Sequence, residues 1–448
     1  MTFATSIVWF RLDLRLADNP ALHAAVNSGG TVVPVFIWSP AEEDPWPPGA
    51  ASRWWLHQSL KSLEASLRAR GSRLVIRKGP TLAAMQLLVR ETGATAVFWN
   101  RRYEPALIAR DTNVQQALLA DGVPVVNFNS ALLYEPWEIK NSSGKPFQVF
   151  TPFWRACLAK KTEFRLLPRP KRIPTPTRMP ESLPLAALGL EPKFDWAAGF
   201  REAWCVGEAG AAAELKSFLS ESVQDYQTHR DRPGLRGTSR LSPHLHFGEI
   251  SPRQIWMAAW SRRNAAAESY LRQLIWREFA HHLLYHFPHT TDEPLRAAFA
   301  KFPWRKDAVA LRAWQRGRTG FPIVDAGMRE LWTTGWMHNR VRMIAASFLV
   351  KDLLIPWQDG ARWFWDTLVD ADLANNTLGW QWVAGCGADA APYFRIFNPT
   401  AQAERFDAQT AYVRRWVPEL GTAKYPSPIV DHNAARRRAL LALAEMKA

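Results

Sequence analysis

Over roughly the first 130 residues, short apolar runs at 6–10, 31–38, 73–77, 95–99 and 123–128 alternate with stretches of helical spacing at 51–70, 81–91 and 104–120. The apolar runs are too short and too continuous for half-exposed strands. They read as strands buried on both faces, and the strand–helix alternation predicts a parallel, doubly wound sheet. Such a sheet binds ligands at the carboxyl ends of its strands. The first run is followed by Phe10-Arg-Leu-Asp-Leu-Arg15 and not by Gly-x-Gly-x-x-Gly, so no dinucleotide is expected on this half. From Glu208 onward the period changes to 3.6, over 209–220, 252–261, 265–286 and 323–353, and predicts an all-α domain. Between Thr151 and Pro180, Pro168, Pro170, Pro174, Pro176 and Pro180 are interleaved with Lys160, Lys161, Arg165, Arg169, Lys171, Arg172 and Arg178. Prolines at that density predict a surface connector without regular helix, its charges solvated. The expected division is an α/β domain over 1–131, a linker over 132–205 and a helical domain over 206–448, with no internal repeat.

Length and charge narrow the class. At 448 residues the chain exceeds what one core supports, in keeping with two domains. A net charge of +15 points to an extended anion, and nucleic acid is the economical partner. The 23 tryptophans supply stacking, packing and one-electron chemistry. Cys157, Cys205 and Cys386 are isolated from one another, which argues against a disulfide framework or a four-thiolate cluster. Neither a charged-then-apolar leader nor an apolar stretch of membrane-spanning length is read, so a soluble, cytoplasmic monomer that keeps off the membrane is expected.

Chemistry concentrates between Gly335 and Pro399. That run holds Trp336-Met-His-Asn-Arg-Val-Arg-Met343, Asp370-Ala-Asp372, Asn376, Gly379-Trp-Gln-Trp382 and Tyr393-Phe-Arg-Ile-Phe-Asn-Pro399, too polar for a simple core and suited to a large planar cofactor beside a polyanion. Tyr226, then Gly237-Thr-Ser-Arg-Leu-Ser242, offers hydroxyls and amides ahead of a helix, an anion cradle fit for a pyrophosphate, although Ser and Thr also cap helices routinely. Gln273, Trp276 and Arg277 fall within one turn and are expected to face nearly the same way, while Asn339 and Met343, four apart, share a face. His281, His282, His286 and His289, like His244 and His246, show no zinc-hydrolase spacing, and no metal is expected. Gly385-Cys-Gly387 is a lone Gly-x-Gly, and Arg436-Arg-Arg438 reads as a solvated helix face.

Taken together, Val8-Trp-Phe-Arg-Leu-Asp-Leu-Arg15, Asp18-Asn-Pro20, Thr238-Ser-Arg-Leu-Ser242, Trp336-Met-His-Asn-Arg340, Gly379-Trp-Gln-Trp382 and Phe394-Arg-Ile-Phe-Asn-Pro399 resemble the DNA photolyase and cryptochrome family from about residue 5 to 430. Ser242-Pro-His-Leu-His-Phe-Gly-Glu-Ile-Ser251 and Trp363-Phe-Trp-Asp-Thr-Leu-Val-Asp-Ala-Asp372 look closest to class III cyclobutane pyrimidine dimer photolyases. The resemblance implies FAD in the helical domain and repair of UV-damaged DNA by light-driven electron transfer. Tyr226, Thr238, Ser239, Arg240, Leu241 and Ser242 match its phosphate surroundings. Arg342 with Asp370 matches a salt bridge against the ring system, Asp372 the carboxylate near its polar edge, and Asn376 the amide facing N5. Arg277 and Ala371 belong to the same cofactor-binding set. Trp276 and Trp382 match the walls that receive a flipped dimer, Met343 its floor, and Asn339 the amide that reads a thymine edge. Arg340 and Arg395 match phosphate contacts, and Trp380, Trp357 and Trp304 match an electron chain to the surface.

One position departs from the pattern: Gln273 stands where cyclobutane-dimer enzymes usually carry Glu and 6-4 photoproduct enzymes carry Gln. The 6-4 reading needs two histidines where Asn339 and Met343 stand, so the cyclobutane assignment is kept. The resemblance also implies a reduced-folate antenna, 5,10-methenyltetrahydrofolate, with Trp38, Trp46 and Glu104 as its best matches. A cryptochrome-type blue-light photoreceptor is the alternative; the chain stops soon after Pro426-Ser-Pro-Ile-Val430, which favours repair. A light-independent DNA-binding protein explains the charge but not the tryptophans beside the flavin motif.

Overall fold

A computed structural model describes residues 2–160, 162–262, 264–390 and 394–447; Lys161 of the connector and Tyr393 of the polar run lie outside them. Strands β1 (Thr5–Phe10), β2 (Thr31–Trp38), β3 (Val75–Lys78), β4 (Ala96–Asn100) and β5 (Val125–Phe128) form one sheet of order β3-β2-β1-β4-β5. Every neighbouring pair is parallel. Successive residues of a strand point to opposite faces, and both faces are covered. Ile7 and Trp9 pack with Val33, Val35, Val97 and Trp99 on one side, while Val8 and Phe10 pack with Val32, Phe36 and Phe98 on the other. Helices α1 (Pro20–Asn27), α2 (Ala50–Arg68), α3 (Thr81–Thr92) and α4 (Pro105–Ala120) supply the cover. The first of these carries no long periodic pattern. It is started by Asn19, whose side chain accepts from Leu22 N, with Pro20 in the first turn.

Two expectations need correction. The connector is not free of helix: α5 (Phe150–Ala159) occupies its start, because Phe150, Phe153, Trp154 and Cys157 make a buried stripe at helical spacing and every proline of the dense series lies beyond it. The proline-rich remainder lies along the sheet domain by backbone bonds, Val32 N to Pro174 O at 2.7 Å and Ile173 N to Arg70 O at 3.0 Å. Nor is 323–353 one helix. It breaks at Gly335, whose φ of 70° is left-handed and whose Cβ would stand 2.7 Å from Phe200, giving helices Pro322–Thr334 and Asn339–Ser347.

The loop after β1, where dinucleotide-binding sheets carry glycines, is the joint between the halves. Arg15 is 1% exposed and donates to Gly248 O (2.9 Å), Asp18 O (2.7 Å) and Ser130. Asp18 is equally buried and accepts from Arg253 Nε (3.0 Å), Ser251 Oγ and Leu167 N. Gly248 is required where the loop meets the helical half, since a Cβ there would approach Leu12 O to 2.2 Å. A second seam runs from the start of α2 to the helix Trp357–Thr367, with Trp365 Nε1 donating to Pro47 O at 2.7 Å. Among the described residues no helix is long and apolar enough to cross a membrane.

Candidate functional site

The helices Ala265–His286, Asn339–Ser347, Trp357–Thr367 and Leu373–Ala384 carry many of the residues singled out from sequence, and all four contribute to one core cluster. The helix Ala265–His286 packs on Leu373–Ala384, which packs in turn on Trp357–Thr367. From Asn339–Ser347, Arg342 donates from Nη2 to Asp370 Oδ2, just past the end of Trp357–Thr367, at 2.8 Å and from Nε to Met337 O at 2.7 Å. The other Asp370 oxygen, Oδ1, is buried with no partner. A buried carboxylate oxygen left open is costly unless something absent from the bare protein meets it.

The cradle is built beside this pair. Arg240 has a left-handed φ of 51°, unusual for a residue with a side chain. Its guanidinium lies 4.3 Å from the ring of Trp204 and 5.1 Å from that of Trp336, and its Nε is buried without a partner. Trp336 donates to Ser242 Oγ at 3.3 Å and lies 5.9 Å from the Arg342 guanidinium, so it couples the cradle to the Arg342–Asp370 pair. Ser242 opens a helix, Ser239 Oγ accepts from Leu241 N at 3.5 Å, and Leu241 is buried beneath them. Gly237 makes the turn possible, since its Cβ would meet His229 O at 2.6 Å. Tyr226 packs on Phe218 and Tyr270 under the same loop, and burial pushes its hydroxyl up to about 12. Thr238 is half-buried between Gly237 and Ser239.

Asp372 is the N-cap of Leu373–Ala384. Its Oδ1 accepts from Asn375 N and Nδ2, and Oδ2 faces His281 Nε2 at 3.4 Å and His246 Nδ1 at 3.9 Å. Burial pushes this carboxyl up, but the two imidazoles and Arg277 outweigh it and hold it well below the usual range. Asn376 donates from Nδ2 to Ala361 O at 3.1 Å, and Ala371 is buried between the two aspartates. These orphaned or clamped polar atoms suit a flavin with a pyrophosphate: cations and small hydroxyl residues at one end, a salt bridge and amides at the other.

On the outer side, Asn339 Nδ2 lies 3.9 Å from Met343 Sδ, the shared face expected. Arg395 stacks 4.9 Å over Trp382, while Arg340 pairs with Asp231 at 2.9 Å and lies over Phe406. The expectation for Gln273, Trp276 and Arg277 is corrected: their ends diverge. Arg277 reaches Ala131 O at 2.6 Å, Gln273 Oε1 accepts from Arg230 Nη2 at 3.2 Å, and Trp276 lies parallel to Phe150 at 3.7 Å. Trp380 and Trp357 are buried in the core cluster and Trp304 lies at its edge. Trp380 packs edge-on against Phe364 and against Trp314, the latter not singled out from the sequence. Trp38 and Trp46 do not form one clamp. Trp38 belongs to the sheet core, whereas Trp46 packs on Trp365 and donates to Asp292 in the helical half. Glu104 pairs with Arg102 at 2.6 Å; burial pushes its carboxyl up, and this arginine overrides the burial to bring it to about 2. The histidines bond elsewhere, His282 and His286 to Pro136 O and His244 to Glu249. Among the described residues no group of three or more His, Cys, Asp or Glu is placed to hold a metal.

Comparison with known proteins agrees with this geometry. Residues 6–177 match the model of the DNA photolyase family, and residues 270–424 match that of the FAD binding domain of DNA photolyase. The chain is 47% identical to a deoxyribodipyrimidine photo-lyase of Agrobacterium fabrum over 99% of its own length and 98% of that protein's. It is 43% identical to cryptochrome-2 of Arabidopsis thaliana, covering 95% of this chain and 72% of the relative. The fold superposes on a class III photolyase of Agrobacterium tumefaciens with a TM-score of 0.95 at 46% identity, over 100% of this chain and 98% of the other. The identity of 47% over nearly the whole of both chains, the two family models and the superposition along the full chain agree, and the chain belongs to the DNA photolyase and cryptochrome family.

Proposed function

We propose that this protein is a deoxyribodipyrimidine photo-lyase that repairs cyclobutane pyrimidine dimers in DNA. The carrying observation is the Arg342–Asp370 pair with its open, buried oxygen, set between the Arg240 cradle and the Asn339–Met343 face. Reduced FAD, when bound, supplies on absorbing blue light the electron that splits the dimer. The chain's own residues hold and orient. Arg240, Thr238, Ser239 and Ser242 take the phosphates, Arg342 and Asp370 flank the ring, and Asn376 presents an amide, uncharged, where a second carboxylate would repel an anionic ring. Trp382, Trp276 and Met343 receive the flipped dimer, with Asn339 and Gln273 offering amides to its pyrimidine edges. Arg340 and Arg395 meet the flanking phosphates, and the +15 charge draws the duplex in.

Trp380, Trp357 and Trp304, in and at the edge of the core, would carry single electrons toward bound oxidised FAD. Trp380→Phe is expected to slow photoreduction of oxidised FAD strongly while chemically reduced protein still repairs; unaltered photoreduction places the route elsewhere. A folate antenna remains part of the reading, with Glu104 and Arg102 at the sheet's carboxyl end, and the protein acts as a monomer. The test is repair under blue light by reduced protein of defined oligonucleotides. Loss of cyclobutane dimers and persistence of 6-4 photoproducts supports the proposal, and the reverse preference overturns it.

A further inference from the structure

Two adjacent histidines on the helix Ala265–His286 have opposite partner sets. His282 Nδ1 lies 2.9 Å from Pro136 O, to which it must donate, and its Nε2 accepts from Phe147 N at 3.0 Å. One donor and one acceptor make a neutral ring, and burial lowers its affinity for a second proton to about 4. His281 is different. Its Nδ1 lies 3.0 Å from Arg277 O, an oxygen that can only accept, and its Nε2 faces Asp372 Oδ2 at 3.4 Å. That carboxylate already accepts two N–H groups on Oδ1, as an ionised N-cap does. Both ring nitrogens of His281 therefore face acceptors, and only an imidazolium has two protons to give. The ring is 5% exposed and its partner 8%, so neither charge is relieved by water.

The surrounding groups include another cation, Arg277, beside the same carboxylate. Arg277, one turn before, is committed to Ala131 O, and His246 shares the same Asp372 oxygen. Glu278 is turned to the backbone of Leu133 and Tyr134. Tyr103, edge-on to His281 at 6.3 Å, donates to Glu135, and Arg102 is paired with Glu104.

We infer that His281 is a buried imidazolium paired with Asp372, a positioning residue that offsets this carboxylate beside the flavin and so eases flavin reduction. The second part rests on the proposed placement of FAD. Reduction by two electrons and one proton leaves the ring system with an added negative charge, which an uncompensated Asp372 would oppose.

The test uses the purified holoprotein. In spectra of 15N-histidine-labelled protein, the signal lost in His281→Gln should show a directly bonded proton on each ring nitrogen; a single proton overturns the inference. The midpoint potential of bound FAD, titrated with dithionite, should fall in His281→Gln by at least tenfold in the reduction equilibrium, about 30 mV for a two-electron couple, and should be kept in His281→Arg. An unchanged potential in the Gln variant overturns the link to the flavin. If the Gln variant does not fold, the signal is assigned by its loss in His281→Arg, and its proton count in the unmutated protein decides. A preparation lacking FAD refutes the flavin placement alone, because the proton count on His281 is read without it.

Discussion

The carboxyl end of the sheet and the helical pocket are both rich in buried charge, and they treat it oppositely. At the sheet end the carboxylates are matched within the chain, Asp111 by Arg11 at 2.7 Å, Glu104 by Arg102 at 2.6 Å and Asp13 by Asn100, although Arg11 Nε and Arg15 Nε are buried without a partner. Arg15 and Asp18 extend this set across the joint to Gly248 and Arg253. In the pocket, Asp370 Oδ1 and Arg240 Nε stay buried and unmatched. Matched carboxylates make a joint, and in the pocket an open carboxylate oxygen beside an unmatched arginine marks where a ligand completes the count. Sheets of this class would ordinarily place their ligand at the strand ends. Here the arginine loop uses that position to fasten the second domain, and the principal cofactor site moves to the helices.

The largest expected effect falls on the closed side. Asp18→Ala removes the acceptor for Arg253, Ser251 and Leu167 at a position 1% exposed. A loss of about 3–5 kcal/mol in denaturant unfolding is expected for breaking a buried pair; a loss within error would mean that the loop is not a joint. Next comes a pH effect at Glu278, whose Oε2 accepts from Leu133 and Tyr134 while Oε1 has no partner. Burial raises this carboxyl to about 7. The folded form thus binds the proton more tightly than the unfolded chain. This contribution is fully present below the unfolded value of about 4.3 and is lost as pH rises through about 7. It amounts to on the order of 3 kcal/mol, and Glu278→Gln should flatten the stability–pH curve across that window. An identical slope in the variant would place the titration elsewhere.

On the open side, Asp370→Asn keeps the shape of the pair and removes its charge. Weakening of FAD binding by about 1.5–3 kcal/mol is expected, measured by flavin release on dilution, with little change in unfolding of the apoprotein. An apoprotein destabilised as strongly as by Asp18→Ala would erase the contrast between the two regions. The smallest effect is at Gln273, where Arg230 already holds Oε1. Gln273→Glu should alter dimer repair per absorbed photon several-fold, since a charged hydrogen bond exceeds a neutral one by about 1 kcal/mol. Unchanged binding and yield would remove Gln273 from the site.

Much of the architecture could be read in the chain because burial follows period. The five strands stand where continuous apolar runs predict them, and the long helix Ala265–His286 spans the residues its 3.6 spacing predicts. Misreadings occurred where a local signal met a stronger one. The stripe Phe150, Phe153, Trp154, Cys157 was masked by the prolines after it, and Gly335 ended a helix whose spacing continues past it. Within the site, pairs close in sequence were legible, as with Asn339 and Met343. Partnerships of distant residues were not: Arg240 between Trp204 and Trp336, Arg230 on Gln273, and Asp372 against His246 and His281 are set by helix packing alone. The divergence of Trp38 and Trp46 belongs to the same class, since it depends on which half each indole packs against.

The contrast between closed joint and open pocket is tested most directly by the cofactor content of the purified protein. Denaturation in the dark, followed by absorbance and chromatography of the released chromophores, should give one FAD per chain, held by the unmutated protein, depleted in Asp370→Asn and retained by Asp18→Ala where that variant folds. Protein that is colourless and takes up no FAD on reconstitution would contradict the account, because the unmatched oxygen of Asp370 and nitrogen of Arg240 would then have no ligand to meet them.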